Sequence, residues 1–472
     1  MSTRKCRLVI EDEVWCYISG LHVEHTEFLY NKFGIFQDGY RYVPAFQMRR
    51  WDGKIRFFEK TGKTYVALLE EIIPFLTTWG YELTIDDKRE YWEPPTRAQF
   101  DEALADFAEI GIIPRQYQVD QMWQLIESGN GFGILATGWG KSIGTALLSA
   151  TFGKVGYRTI TVVPSSDLVT QTAEWFRKCG LDVGEYGGGS KDMDRQHVIA
   201  TWQSLQNVPH HMKSFQVFTI DEGHGVRGAV IQELINEYGS KIAFRFGLTG
   251  TLPQDKVSAM KLFCSIGTVR VECSASWLIA NGYLAEVDIE ILQTVEPVDE
   301  EFPDYPSERS FITKSKHRRE FLADLICARA EQHGNTLVLV HSVPFGRELA
   351  AMIDGAVFLS GASEKDVRKL NYDLFDKRDD LIVIATAGIA STGISIDRVF
   401  CLMLVDVNRS FIQTIQSIGR GLRMAKDKNK VHVVDVSAYL KYSKKHLKER
   451  MKFYREAGYP HTAKPIKVKI AS

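Results

Sequence analysis

Long apolar runs are missing from this chain. None reaches the roughly 18 residues that cross a bilayer as a helix, so no transmembrane helix is expected. The start, Met1-Ser2-Thr3-Arg4-Lys5-Cys6-Arg7, has no apolar stretch behind it and does not read as a secretory signal. Cysteine is sparse. Seven are scattered along 472 residues, an odd number with no Cys-x-x-Cys pair. That argues against a disulfide framework or a structural zinc and fits reduced thiols in a cytoplasm. A surplus of either charge is also absent: 58 Lys and Arg stand against 59 Asp and Glu. Overall charge therefore cannot hold a polyanion, and a nucleic-acid partner has to be met by local patches.

The rest of the chain is organised around one short stretch, Ala136-Thr137-Gly138-Trp139-Gly140-Lys141-Ser142. An apolar segment, Phe132 to Leu135, precedes it, and Ile143-Gly144-Thr145-Ala146-Leu147-Leu148 follows as a helical pattern. A strand, a glycine turn and Lys-Ser opening a helix form the geometry of a phosphate-binding loop. Backbone N–H groups and the helix dipole favour an anion there. Lys141 would reach the β- and γ-phosphates, and the Ser142 hydroxyl would ligate Mg²⁺. The general pattern wants glycine at position 135, where this chain has leucine. On these residues alone an ordinary glycine turn stays open.

A prior of roughly 100 to 200 residues per domain suggests three domains. Residues 1–93 read as a small α+β block with strands at Arg7–Ile10 and Val14–Ile18 and a helix from His25 to Phe33. Within it, Asp52-Gly53 predicts a hairpin turn. The surrounding Arg49, Lys54 and Arg56 alternate with apolar and aromatic residues. Two readings stand: a half-buried hairpin with one solvated face, or a nucleic-acid contact in which cations meet phosphate and aromatics stack on bases. Lys60-Thr61-Gly62-Lys63-Thr64 imitates the end of a phosphate loop and reads as a turn. Glu93-Pro94-Pro95 reads as a linker.

Residues 94–285 and 286–438 each alternate apolar strands with helical segments, which indicates α/β domains built on parallel sheets. Pro114 is expected to start a helix carrying Arg115 and Gln118. Gly187-Gly188-Gly189-Ser190-Lys191 reads either as a phosphate-contacting loop or as a plain turn. Residues 439–472 form a basic tail, with ten Lys/Arg against two acids between positions 441 and 469. That tail is either a nucleic-acid contact or a solvated amphipathic helix.

The decisive chemistry lies at Asp221-Glu222-Gly223-His224, which follows the apolar run ending at Ile220. A carboxylate at the end of a parallel strand sits where open α/β sheets bind ligands. Asp221 would hold Mg²⁺ through water, and Glu222 would polarise an attacking water.

Together these motifs resemble the superfamily 2 helicases and translocases over roughly residues 112–425. The family's loop is Ala/Pro-Thr-Gly-x-Gly-Lys-Ser, so Leu135 is no anomaly. Trp139 fills the variable position, and nothing in the sequence accounts for so large a side chain there. The resemblance implies two tandem RecA-like domains and ATP with Mg²⁺ as cofactors. It implies nucleotide contacts from Arg115, Gln118, Thr137, Gly138, Trp139, Gly140, Lys141, Ser142 and Gly393. Lys141, Asp221, Glu222, Gln416, Arg420 and Arg423 would carry catalysis, with Ser142 and Asp221 on the metal. Arg420 and Arg423, three apart on one helix face, would act as arginine fingers supplied by the second domain. Pro164, Ser165, Gln171, Thr201, Gln203, His341 and Thr386 match strand-contacting motifs, though His341 serves equally as a structural residue.

Asp38-Gly39-Tyr40-Arg41 and Trp51-Asp52-Gly53-Lys54-Ile55-Arg56 resemble the N-terminal domain of phage UvsW-type recombination helicases. The implied activity is ATP-driven remodelling of branched DNA: Holliday-junction migration, fork regression and unwinding of D-loops or R-loops. The implied partners are branched or duplex DNA and RNA–DNA hybrid, met by a monomer in the host cytoplasm. Two alternatives remain: a duplex-DNA translocase serving a separate nuclease or repair partner, and a non-enzymatic nucleic-acid scaffold. The intact Lys141, Asp221, Glu222 and Arg420 set argues against the scaffold.

Overall fold

The computed structural model describes residues 4–221, 232–250, 252–253, 255–295, 302–361, 363, 374, 377–386, 398–406, 430–456 and 458–467. The chain divides into two compact units: Met1–Leu135 with Gly140–Glu272, and Ala136–Trp139 with Cys273–Ser472.

The first unit opens with β1 (Arg4–Ile10), β2 (Trp15–Ser19), helix α1 (Val23–Lys32), β3 (Gly34–Phe36), β4 (Lys54–Arg56), β5 (Lys63–Tyr65), helix α2 (Leu69–Thr78) and β6 (Tyr81–Asp87). Four of the strands form a sheet in the order β5-β2-β1-β6, and β3 pairs antiparallel with β4. The hairpin signal at Asp52-Gly53 is answered differently from the expectation. Gly53 turns at φ 81°, but the partner of β4 is β3, and residues 37–53 form the whole connection. Lys60–Thr64 is a turn, with the Gly62 N–H donating to the Glu59 carbonyl at 2.9 Å.

This block does not stand apart. Its core of Leu8, Cys16, Leu29, Phe58 and Ile72 continues into Val257 and Cys264 of the following α/β domain. The Glu13 N–H donates to the Ser240 carbonyl at 2.9 Å, and the Trp15 indole donates to the Asn236 carbonyl at 3.3 Å. Arg245 is buried and donates to the carbonyls of Glu13 and Ser265. Burial pulls its pKa down to about 10, so the guanidinium stays charged at neutral pH.

The α/β domain begins with α3 (Arg97–Glu109) and α4 (Gln116–Glu127), the latter opening after Pro114 with Arg115 as its N-cap. Then come β7 (Asn130–Leu135), α5 (Lys141–Lys154), β8 (Thr159–Val163), α6 (Ser166–Lys178), β9 (Val183–Gly187), β10 (Ser190–Lys191), β11 (His197–Thr201), β12 (Val217–Asp221), β13 (Phe244–Thr249), α7 (Lys256–Ile266) and β14 (Val269–Cys273). The sheet order is β10-β9-β11-β8-β12-β13-β7-β14. From β9 to β7 the neighbours run parallel. Every residue of β8, β11 and β13 is buried, as expected of a sheet covered on both faces. The triglycine segment is a tight reversal between β9 and antiparallel β10, with Gly187, Gly188 and Gly189 all at positive φ.

The second unit carries β15 (Glu286–Val295), α8 (Tyr305–Lys314), α9 (Lys316–His333), β16 (Thr336–Val340), α10 (Val343–Ala351), β17 (Val357–Leu359), β18 (Ile382–Thr386), β19 (Cys401–Asp406), β20 (Lys430–Ala438), α11 (Lys441–Glu456) and β21 (His461–Lys467). Its sheet runs β17-β18-β16-β19-β20-β15-β21, with every pairing parallel.

The stretch read as a basic tail is built into this sheet: β21 pairs along β15 from Ile289–His461 to Val295–Lys467. Helix α11 is held from below. Arg450 makes two hydrogen bonds to the Asp435 carboxylate, at 2.8 and 2.9 Å, and the Tyr454 hydroxyl donates to the same group at 2.8 Å. All three are buried. Buried Glu308 accepts from the N–H groups of Tyr442 and Ser443 and from the Ser443 hydroxyl, at 2.7 to 2.8 Å. A carboxylate of α8 thus caps the first turn of α11.

Candidate functional site

Three adjacent strands of the first sheet end at one level. Asp221 of β12 lies beside Leu248 of β13, Leu248 beside Gly133 of β7, and Thr249 beside Ile134. The chain leaves β7 directly into Ala136, leaves β13 into Gly250, and ends β12 on Asp221. The carboxyl edge of the sheet therefore gathers the phosphate loop, the Thr-Gly turn and the acidic strand end, where α/β sheets take ligands.

The loop itself is shaped by two glycines in the left-handed region, Gly138 at φ 90° and Gly140 at φ 96°. A side chain at either would collide. A Cβ on Gly140 would lie 2.4 Å from the Gln118 Nε2, and one on Gly138 would lie 2.5 Å from Leu284 Cδ2. Gln118 is itself fixed, its Oε1 accepting from the Arg115 N–H at 2.8 Å. The Ala136 N–H donates to the Cys273 carbonyl at 3.0 Å, and the Trp139 N–H to the Ala136 carbonyl at 3.0 Å. Trp139, silent in the sequence, is fully buried. Its ring therefore offers no exposed face for a nucleotide to stack on.

Lys141 opens α5, half-buried, and Ser142 follows, exposed. No side chain caps the helix at Gly140, so an anion fits at its first turn. From Gly144 to Phe152 the helix is buried throughout. That locks its N-terminus relative to the sheet. A bare glycine cradle, a lysine, a hydroxyl and a strand-end carboxylate form a donor set suited to a magnesium nucleotide. Glu222, His224, Thr251, Gly393, Gln416, Arg420 and Arg423 lie outside the described residues.

The expected strand-contacting residues gather beside this edge. Pro164 and Ser165 follow β8, and Thr201 ends β11, its neighbour in the sheet. Ser165 caps α6, accepting from the Leu168 N–H at 3.4 Å. Thr201, buried, accepts from the Ser204 N–H at 3.2 Å and donates to the Ser204 hydroxyl at 2.9 Å. Their hydroxyls thus serve helix starts, while Gln171 and Gln203 are exposed. In the second unit, exposed His341 follows β16, whose Val340 lies beside Thr386 at the end of β18.

In the N-terminal block the three expected cations separate. Arg56 is claimed internally: its guanidinium pairs with Asp52, lies 4.3 Å from the Tyr30 ring centre and fills the space above Gly34. The Lys54 ammonium sits 4.8 Å over Phe36. Arg49 is exposed. Sequence alternation marked all three alike, because it cannot see that a distant helix supplies Tyr30.

Residues 19–86 match the family described as DNA helicase UvsW, N-terminal, and residues 111–254 match that described as Type III restriction enzyme, res subunit. The ATP-dependent DNA helicase uvsW of Enterobacteria phage T4 is 26% identical over 479 residues, covering 92% of this chain and 94% of that protein. A DNA 3'-5' helicase XPB of Kineococcus radiotolerans is 25% identical over 75% of this chain and 65% of its own length. Among solved structures, helicase Lhr of Mycobacterium smegmatis, bound to ssDNA and AMP-PNP, has a TM-score of 0.54 at 18% identity. It covers 76% of this chain and 50% of that one, a likeness of fold. By these matches the chain resembles the UvsW-type superfamily 2 helicases over nearly its whole length.

Proposed function

We propose that the protein is an ATP-driven helicase that remodels branched DNA. The observation that carries this reading is the shared carboxyl edge of β7, β13 and β12, which brings the Lys141 loop, Thr249-Gly250 and Asp221 together. Bound Mg²⁺ would neutralise phosphate charge during hydrolysis. Ser142 and Asp221 are the residues that would hold it. Lys141 would bind the terminal phosphates, Gln118 would contact the base, and Glu222 would orient the attacking water. Arg420 and Arg423 would add cationic charge at the γ-phosphate.

DNA-stimulated ATP hydrolysis tests the site. Lys141→Ala and Glu222→Gln should each abolish it, and unchanged turnover in Lys141→Ala overturns the assignment. A synthetic four-way junction set beside a linear triplex-displacement substrate tests the substrate. Displacement of the triplex strand without junction migration would establish a duplex translocase instead. The match to the restriction-enzyme family gives that second reading its specific support.

A further inference from the structure

The connection between β3 and β4, residues 37–53, is a folded head with an unusual surface. Its interior is ordered. Tyr40 stacks on Phe36 with ring centres 4.7 Å apart and meets Phe46 edge-on at 4.8 Å. A helical turn at Pro44–Gln47 is closed by Met48 N–H to the Pro44 carbonyl, Arg49 N–H to Phe46 and Arg50 N–H to Ala45, at 2.8 to 2.9 Å. The Trp51 indole donates to the Lys54 carbonyl at 2.9 Å, and the Gln37 N–H ties the base to the Gly53 carbonyl at 2.9 Å.

Outside, the head presents large apolar side chains to water: Tyr42 is 85% exposed and Met48 62%. Arg41, Arg49 and Arg50 surround them, all exposed. Arg49 is the one non-glycine with positive φ, 57°, among the described residues. That is the position after a helical turn where glycine is at ease and any side chain is strained. An arginine kept in a glycine's conformation, on a hydrogen-bonded head, next to exposed Tyr and Met, points to a ligand that pairs negative charge with flat apolar faces. Nucleic acid with an unstacked or terminal base has that character. Intact duplex offers phosphates and hides its base faces.

We propose that the 37–53 head engages DNA at its branch point. Tyr42 and Met48 pack on the base pair exposed where strands diverge, and Arg41, Arg49 and Arg50 hold the flanking phosphates. This rests on the branched-DNA reading above and names the element that recognises the branch.

The test compares Tyr42→Ala and Arg49→Gly in the full chain, using fluorescence anisotropy on a four-way junction and on a linear duplex of equal length. Tyr42→Ala should weaken junction binding roughly tenfold and linear-duplex binding less than twofold. Arg49→Gly should leave the melting temperature unchanged or raised. It should still weaken junction binding and flatten its salt dependence by about one phosphate contact. Equal weakening on both DNAs, or no weakening in Tyr42→Ala, overturns the branch assignment. Wild-type protein that binds the junction no better than the duplex overturns the broader reading instead.

Discussion

At the scale of single residues, the phosphate loop shows how a conspicuous side chain can act without touching a ligand. Trp139 is fully buried one residue before a left-handed glycine. Truncating it should cost about 3–5 kcal/mol, the usual range for a large buried aromatic. It should also loosen the loop, so Trp139→Ala should raise the KM for ATP more than it lowers kcat; Trp139→Phe should restore most of both. Steady-state kinetics with parallel urea melts separate the two effects. A second residue sets an acid limit. His197 is buried with Nδ1 2.9 Å from the Thr159 hydroxyl, and burial lowers its pKa to about 4. The unfolded chain takes up a proton near the ordinary value of about 6.5, which the folded chain refuses. The stability this site contributes is therefore intact above pH ~6.5 and lost as pH falls toward 4, up to roughly 3 kcal/mol. Comparing urea midpoints at pH 7 and pH 4.5 should show a smaller drop for His197→Gln than for wild type.

At the scale of elements, the first turn of the C-terminal helix depends on one carboxylate, Glu308. Glu308→Ala should leave two N–H groups at the start of α11 without their acceptor and cost roughly 2–4 kcal/mol. Limited proteolysis should then cut first within residues 439–467, with Glu308→Gln intermediate. That this helix and β21 belong to the sheet was illegible in the sequence for definite reasons. Strand β21 is largely exposed, lysine-bearing and interrupted by Pro465, features tolerated at a sheet edge and indistinguishable from a loop in one dimension. Strand β15 escaped because Glu286, Asp288 and Glu290 alternate with its apolar residues and mask the buried half. The buried strands β8, β11, β12 and β13 were legible because continuous apolar runs have few other uses. The place of the loop after β7 and of Asp221 at the end of β12 was legible because the apolar runs before them mark their strands. The partners of Arg56, Asp52 and Tyr30, were not legible because they are matters of packing.

At the scale of the whole molecule, a net charge of −1 hides a segregated surface. The outer side of α11 exposes Lys441, Lys444, Lys445, Lys448, Lys452 and Arg455, with Glu449 as the acid among them. A second consequence concerns the N-terminal block, whose removal looks from the sequence like a clean truncation. Deleting residues 1–93 would bare Val257 and Cys264 and strip Arg245 of its Glu13 acceptor. The truncated chain should melt lower and aggregate, which light scattering during a thermal ramp would reveal. Exposed-residue substitutions in the head are the sounder probe.

The buried guanidinium of Arg245 carries this further. It leaves the amino end of β13, at the sheet edge opposite the Lys141 loop, and closes on the backbone of Glu13 in the N-terminal block. The block is thus fastened to the ATP-binding half the way a tool is bolted to an engine casing. A DNA arm held by the head, as proposed, would therefore move with that half.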